Sequence, residues 1–223
     1  MKFPDLTYEE SLWKKGFNVI GIDEVGRGAF AGPVAVGGVI FPSTLNPSER
    51  EHLLSCGIND SKKLSAKKRE ELALQIKNIA SSYSVSFIDV ATINEIGIGK
   101  ATFLGMRKVA AKLSKSLKNP YLLIDGFEIP GFDNPTLTKV LSGKQKGIIR
   151  GDCLSISIAA ASIIAKVERD TLMLELSSKH PLYAWENNKG YGTLIHRRAI
   201  SRYGITELHR KVFCRKIGAH LLF

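Results

Sequence analysis

The chain has 223 residues, 44% of them hydrophobic and 24% charged, which suits one substantial globular domain and excludes a disordered or fibrous protein. Lys and Arg outnumber Asp and Glu by 32 to 21, and the resulting formal charge of +11 points to a polyanionic partner. Three scattered cysteines, Cys56, Cys153 and Cys214, form no CxxC pair and exclude both a disulfide framework and a thiolate zinc site. The first sixteen residues hold no apolar run of the export type, and ISIAAASIIA (156–165) is too short and too broken by serine to span a bilayer. A cytoplasmic protein without membrane contact is the expectation.

Residues 17–23 and 33–41, both rich in Val and Ile, read as strands joined through the bend Gly26-Arg27-Gly28. So short a connection demands an antiparallel pair. A polar, lysine-rich stretch leads into a helix over 65–80, where Leu72, Ile76 and Ile79 recur at helical spacing and Ser65 is the N-cap. Residues 82–90 alternate as a half-buried strand does. Residues 100–117 return to helical period through Met106, Val109, Leu113 and Leu117. Short strands follow at 121–125 and 146–150, then a long helix from Leu154 to Ser177, then helical pieces around a Gly-Tyr-Gly turn. The pattern predicts one α/β domain with a mixed sheet, its core at 17–180 and a helical C-terminal part at 181–223.

Four acids stand where predicted elements begin or end. Asp23 and Glu24 close the first strand, Asp125 closes the strand YLLID, and Asp152 precedes the long helix. Neighbouring strands would bring Asp23 and Asp125 within a few ångströms, at the edge where α/β sheets receive ligands. Asp152 has a second reading, as the N-cap of the long helix. Clustered carboxylates without a matching histidine set suit a hard cation such as Mg²⁺ or Mn²⁺. Paired divalent ions about 3.5–4 Å apart serve in-line displacement at phosphorus, so an acid nest on a basic chain points to a nuclease or polymerase. The run from Gly26 to Ala31 matches GxGxxG/A, yet a strand carrying Pro33 follows where a dinucleotide fold needs a helix. The bend is either a tight hairpin turn or a place where backbone meets a ligand closely.

The segments GIDEVGRGAFAGPVAVGGVIF, NDSKKLS (59–65), LLIDG (122–126), RGD followed by SIAAASIIAKVERD (150–170), KGYGT (189–193) and HRKVF (209–213) stand in an order that resembles the ribonuclease HII family, across roughly residues 17–216. The resemblance implies a ribonuclease H-like mixed five-stranded sheet flanked by helices. It implies a two-metal site of Mg²⁺ or Mn²⁺ on Asp23, Glu24, Asp125 and Asp152. It implies that Gly26, Arg27 and Gly28 meet the ribose 2′-OH through backbone groups, and that Tyr191 stacks on the next sugar. The 2′-OH is what separates RNA from DNA at one position. The implied substrate is therefore an RNA–DNA hybrid or duplex DNA containing a single ribonucleotide. The related ribonuclease HIII carries lysine in place of the bend's arginine and an added N-terminal domain, so type HII is expected, as a monomer. Arg150 stands for the family's usual lysine, Val212 for its usual serine, and the spacing from Asp125 to Asp152, across 127–145, is longer than usual.

Lys62 and Lys63 are candidates for phosphate contact, as the family's SKKL segment suggests, or else a solvated charge run. Eight basic residues between Lys189 and Lys216, against Glu207 alone, mark that segment, Arg210 included, as the duplex-binding surface. Lys166 and Asp170, one helical turn apart, read as a structural ion pair. His196 and His209 read as caps or phosphate contacts. The apolar IGAHLLF at 217–223 is expected to pack on its own domain. The rival from another class is a non-catalytic nucleic-acid-binding module.

Overall fold

The computed structural model describes residues 3–131, 144–215 and 217. Five strands form one mixed sheet: β1 (Asn18–Val25), β2 (Val34–Ile40), β3 (Ser82–Ile88), β4 (Pro120–Asp125) and β5 (Gln145–Ile148), in the order β3-β2-β1-β4-β5. The first three are antiparallel neighbours, while β4 runs parallel to β1 and β5 parallel to β4. The expected antiparallel pair and the mixed sheet are both present.

Period alone did not reveal three short helices. α1 (Thr7–Trp13) and α2 (Pro47–Ser55) bury too little apolar surface to imprint a pattern, Glu9 and Leu12 in one and Leu53 in the other. α2 is opened by a capping box between Asn46 and Glu49. The strand expected over 82–90 stops at Ile88, because Asp89 accepts from the Thr92 N–H and caps α4 (Val90–Ile96). α3 (Ala66–Ile79) has its expected cap in Ser65, and α5 (Ile98–Ser114) lies slightly ahead of the expected 100–117. The long helix is α6 (Ile156–Lys179), and the C-terminal part holds α7 (Trp185–Asn188), α8 (Leu194–Tyr203) and α9 (Lys211–Cys214).

α5 covers one face of the sheet, placing Met106, Val109 and Leu113 against Ile20, Ile22, Val36 and Ile124. Each such burial is worth about 1.5–3 kcal/mol. α6 covers the other face at very short range. A Cβ on Gly21 would lie 2.2 Å from the Ser157 carbonyl carbon, and one on Gly37 would lie 2.4 Å from the Ala161 oxygen. This contact explains the alanine-rich start of α6 and the glycines at 21 and 37, while Gly38 faces α5, where a Cβ would meet Val109. Buried Glu9 ties α1 to the same helix start, accepting from Ser155 Oγ (2.5 Å), Ser157 Oγ (2.6 Å) and the Ser157 N–H (3.0 Å). The first turn of α6 is thus held from two sides, and it follows directly on the segment that carries Asp152.

Candidate active site

Alternation along β1 sends Asp23 and Glu24 to opposite faces. Asp23, 5% exposed, lies on the α6 side and accepts from Ser162 and from the Glu24 N–H at 2.7 Å. Glu24 lies on the α5 side. With Asp125, Arg27 and Phe127 it lines a cavity of about 110 Å³, and its Oε1 is 3.5 Å from the Arg27 guanidinium.

Ile124 stands opposite Ile22 in the parallel pair, so Asp125 ends β4 alongside Asp23. The Asp125 carboxylate accepts from the backbone N–H of Gly151, at 2.7 Å, and of Asp152. Those bonds pin a 3-10 turn, Gly151–Cys153, which left-handed Arg150 (φ 57°) introduces. Asp152, 8% exposed, is thereby carried to the acid cluster. It does not cap the long helix. Ser155 does, accepting from the Ile158 N–H.

Burial raises the Asp23 carboxyl well above the usual carboxylate range, and the charges of Glu24 and Asp125 raise it further. Burial also raises Glu24, with Arg27 opposing and Asp125 adding. Asp125 is raised by burial and by the charge of Asp152. Lys62 answers this cluster: burial pulls its ammonium down, but Asp23, Asp60, Asp152 and Asp125 together hold it above the ordinary lysine value. Lys63 turns aside, 4.0 Å from Asp60 and 3.6 Å from the Cys153 sulfur.

Asp60 and Ser162 were missed as site residues. Asp60 caps the turn Ser61–Lys63 through the Lys62 N–H, and its carboxylate lies within 4.8 Å of ligand atoms on Asp152 and Cys153. Ser162 bonds Ser61 at 2.9 Å as well as Asp23. The available signals were an acid directly before Ser-Lys-Lys and a serine interrupting an alanine-rich helix.

The glycine bend is not a tight hairpin turn. Residues 26–33 leave the sheet and pair with the C-terminal part. The Phe30 and Ala31 N–H groups donate to the Gly190 oxygen, the Gly32 N–H donates to the Leu208 oxygen, and Ala29 bridges Tyr191. Arg27 and Gly28 remain exposed, and a Cβ on Gly28 would meet nothing within 4 Å. Tyr191 is half-buried, with Lys166 and Arg169 at 5.8 and 5.5 Å from its ring centre. Lys166 makes the expected pair with Asp170 at 2.6 Å, and Asp170 also reaches Arg69 at 3.7 Å.

Two readings of basic residues are corrected. His196 and His209 are buried and stand 3.2 Å apart at Nε2, beneath the Trp185 indole. Their burial withdraws them from a phosphate role, while each keeps a cap-like contact, His209 Nδ1 accepting from the Thr206 N–H and His196 Nδ1 lying 2.9 Å from the Tyr191 oxygen. Burial lowers both imidazoles, His209 to about 4 with help from the neighbouring histidine charges. Arg210, assigned to the basic surface, is fully buried. Lys216, residues 132–143 of the long loop and residues 218–223 lie outside the described residues. Among the described residues no helix is long and apolar enough to cross a membrane.

A mixed β3-β2-β1-β4-β5 sheet with acids gathered at one edge is the ribonuclease H-like fold. The chain superposes with a TM-score of 0.67 on ribonuclease H2 from Pyrococcus horikoshii OT3, at 24% identity, covering 91% of this chain and 98% of the other. With Bst ribonuclease HIII in complex with Mn²⁺ the TM-score is 0.68 at 21% identity, covering 91% and 70%. The family model described as Ribonuclease HII matches residues 20–216, and the Ribonuclease HII of Caldicellulosiruptor saccharolyticus is 44% identical over 210 residues, 94% of this chain and 93% of that one. The chain belongs to the ribonuclease HII family. It is accordingly a type 2 ribonuclease H, a metal-dependent endonuclease that degrades the RNA strand of RNA–DNA hybrids, which removes the non-catalytic rival.

Proposed function

We propose that the chain, besides cleaving RNA–DNA hybrids, incises duplex DNA on the 5′ side of a single embedded ribonucleotide, leaving 3′-OH and 5′-phosphate ends. The observation that carries this reading is the union of the Arg27-Gly28 bend with the Tyr191 loop beside the acid cluster. One exposed backbone segment and one aromatic face stand where a single 2′-OH could be read.

Asp23, Glu24, Asp125 and Asp152 would hold Mg²⁺ or Mn²⁺. The fit rests on their chemistry: all offer hard oxygen, none is paired with a histidine, and three of them are raised by burial and by one another's charge. Bound there, the cations supply charge that polarises the phosphodiester and acidifies a water. The chain's own groups do the positioning. The Gly151 and Asp152 N–H groups fix the Asp125 carboxylate, and the Arg27 charge favours the ionised form of Glu24. Lys62, and Lys63 at the margin, offer charge to substrate phosphates. Gly26 and Gly28 let the backbone approach the sugar, and the Tyr191 ring offers it a flat face. One catalytic domain over 1–223, acting as a monomer in the cytoplasm, completes the reading.

The test is incubation of a DNA duplex carrying one ribonucleotide with Mg²⁺, with Mn²⁺ and with EDTA. Metal-dependent cutting on the 5′ side is expected, together with loss of cleavage and retained duplex binding in Asp23→Asn and Asp125→Asn. Cutting confined to longer RNA tracts would overturn the single-ribonucleotide activity, and wild-type turnover by either variant would overturn the metal assignment.

A further inference from the structure

Arg169 and Arg210 are both fully buried, and among the described residues neither forms a salt bridge. Burying a guanidinium without a carboxylate is costly unless its donors are well used. Here all but one go to main-chain carbonyls of one short segment, residues 27–33, and the last goes to Lys189. Arg169 donates from Nε to Pro33 (2.9 Å), from Nη2 to Ala31 (3.2 Å) and from Nη1 to Lys189 (2.9 Å). Arg210 donates from Nε and Nη2 to Gly32 (3.0 and 2.8 Å) and from Nη1 to Arg27 (2.9 Å). A loop leaving a sheet exposes such carbonyls, and a buried carbonyl needs a donor. The bend is shaped to fit: a Cβ on Gly26 would lie 2.0 Å from Arg169 Nε. Arg169 also backs the Tyr191 ring and holds the carbonyl two residues before it.

We infer that Arg169 and Arg210 are positioning residues for ribonucleotide discrimination, fixing the distance between the Arg27-Gly28 bend and Tyr191. The inference rests on the reading of Gly28 and Tyr191 as the groups that meet the 2′-OH. A single embedded ribonucleotide presents one such hydroxyl, so a displaced bend has no second contact to use. A continuous hybrid presents a hydroxyl at every step, and its phosphates still meet the basic surface. A displacement of about 1 Å costs on the order of 100-fold where geometry is exacting.

Arg169→Lys and Arg210→Lys keep the charge and lose the planar fork. Their kcat/KM is measured on a single-ribonucleotide duplex and on a continuous RNA–DNA hybrid, with circular dichroism and melting to confirm folding. The expected result is a loss of about 10- to 100-fold on the single ribonucleotide and of only a few fold on the hybrid. Equal losses on the two substrates, or full activity on both, overturn the inference. If the lysine variants do not fold, Gly26→Ala, which drives a methyl into Arg169, is measured the same way, and an equal loss there overturns it too. Tyr191→Ala is run alongside. If it fails to discriminate, the assignment of the hydroxyl-reading groups is at fault; if it discriminates and the arginine variants do not, only the present inference falls.

Discussion

Asp23 concentrates the tension in this molecule at one residue. Its carboxyl is buried, and two further acids face it. The folded protein therefore holds the Asp23 proton to higher pH than the unfolded chain does. For an acid raised in this way, stability is greatest below the ordinary carboxylate range and falls as pH rises through the folded value. Above the ordinary carboxylate range and without divalent metal, the burial of Asp23 therefore works against folding. Asp23→Asn should then melt above the wild type in EDTA, by about 2–4 °C for each kcal/mol of relieved repulsion. Adding Mg²⁺ or Mn²⁺ should raise the wild type and close the gap. Identical melting of the two proteins in EDTA would remove Asp23 from the list of strained groups. Neighbouring Glu24 points to the other sheet face, yet its charge raises Asp23 more than that of Asp125 on the next strand, so the two adjacent acids do oppose one another.

At the scale of elements, the close seating of α6 on β1 and β2 does most to place the acids. Gly37→Ala would press a methyl onto the Ala161 oxygen, with no flexible side chain to yield. Overpacking of this kind costs about 1–3 kcal/mol, and the same shift would move Ser162 relative to Asp23. The expectation is a lower melting temperature together with weakened cleavage; unchanged melting would mean that the helix has slack. This seating also shows what could be read from the chain. Strong periodicity gave five strands, α3, α5 and α6, and the acids at strand ends followed from them. The caps at Asp89 and Asn46 overrode or escaped that reading, because α2 and α4 show little apolar period. Asp152 was drawn toward a capping role, since sequence could not show the 3-10 turn between it and Ser155. Arg210 and the two histidines looked like surface charge because nothing local reports that a tail folds inward. The long-range pairing of residues 29–32 with 190 and 208–210 buries Arg210, and Tyr183 and Trp185 enclose the two histidines.

For the whole molecule, charge and architecture divide the work. Exposed arginines of α8, such as Arg198, face solvent and suit phosphates without reading sequence. In an Asp125→Asn background, Arg198→Gln should lower the slope of log affinity against log salt by about 0.9, with no change in preference between hybrid and single-ribonucleotide duplexes. A changed preference would instead assign Arg198 to recognition. The architecture adds a question of timing. Arg27 and the guanidinium that holds its carbonyl are 183 positions apart. Chains emerge from the ribosome at about 5–20 residues per second, so the bend waits roughly 10–40 seconds for its support. A nascent chain carries all four acids well before it carries the clamp. On the proposed reading the discriminating form of the nuclease would be among the last things synthesis completes, since a chain stalled before residue 189 would hold the acids and Arg169 but neither Tyr191 nor Arg210.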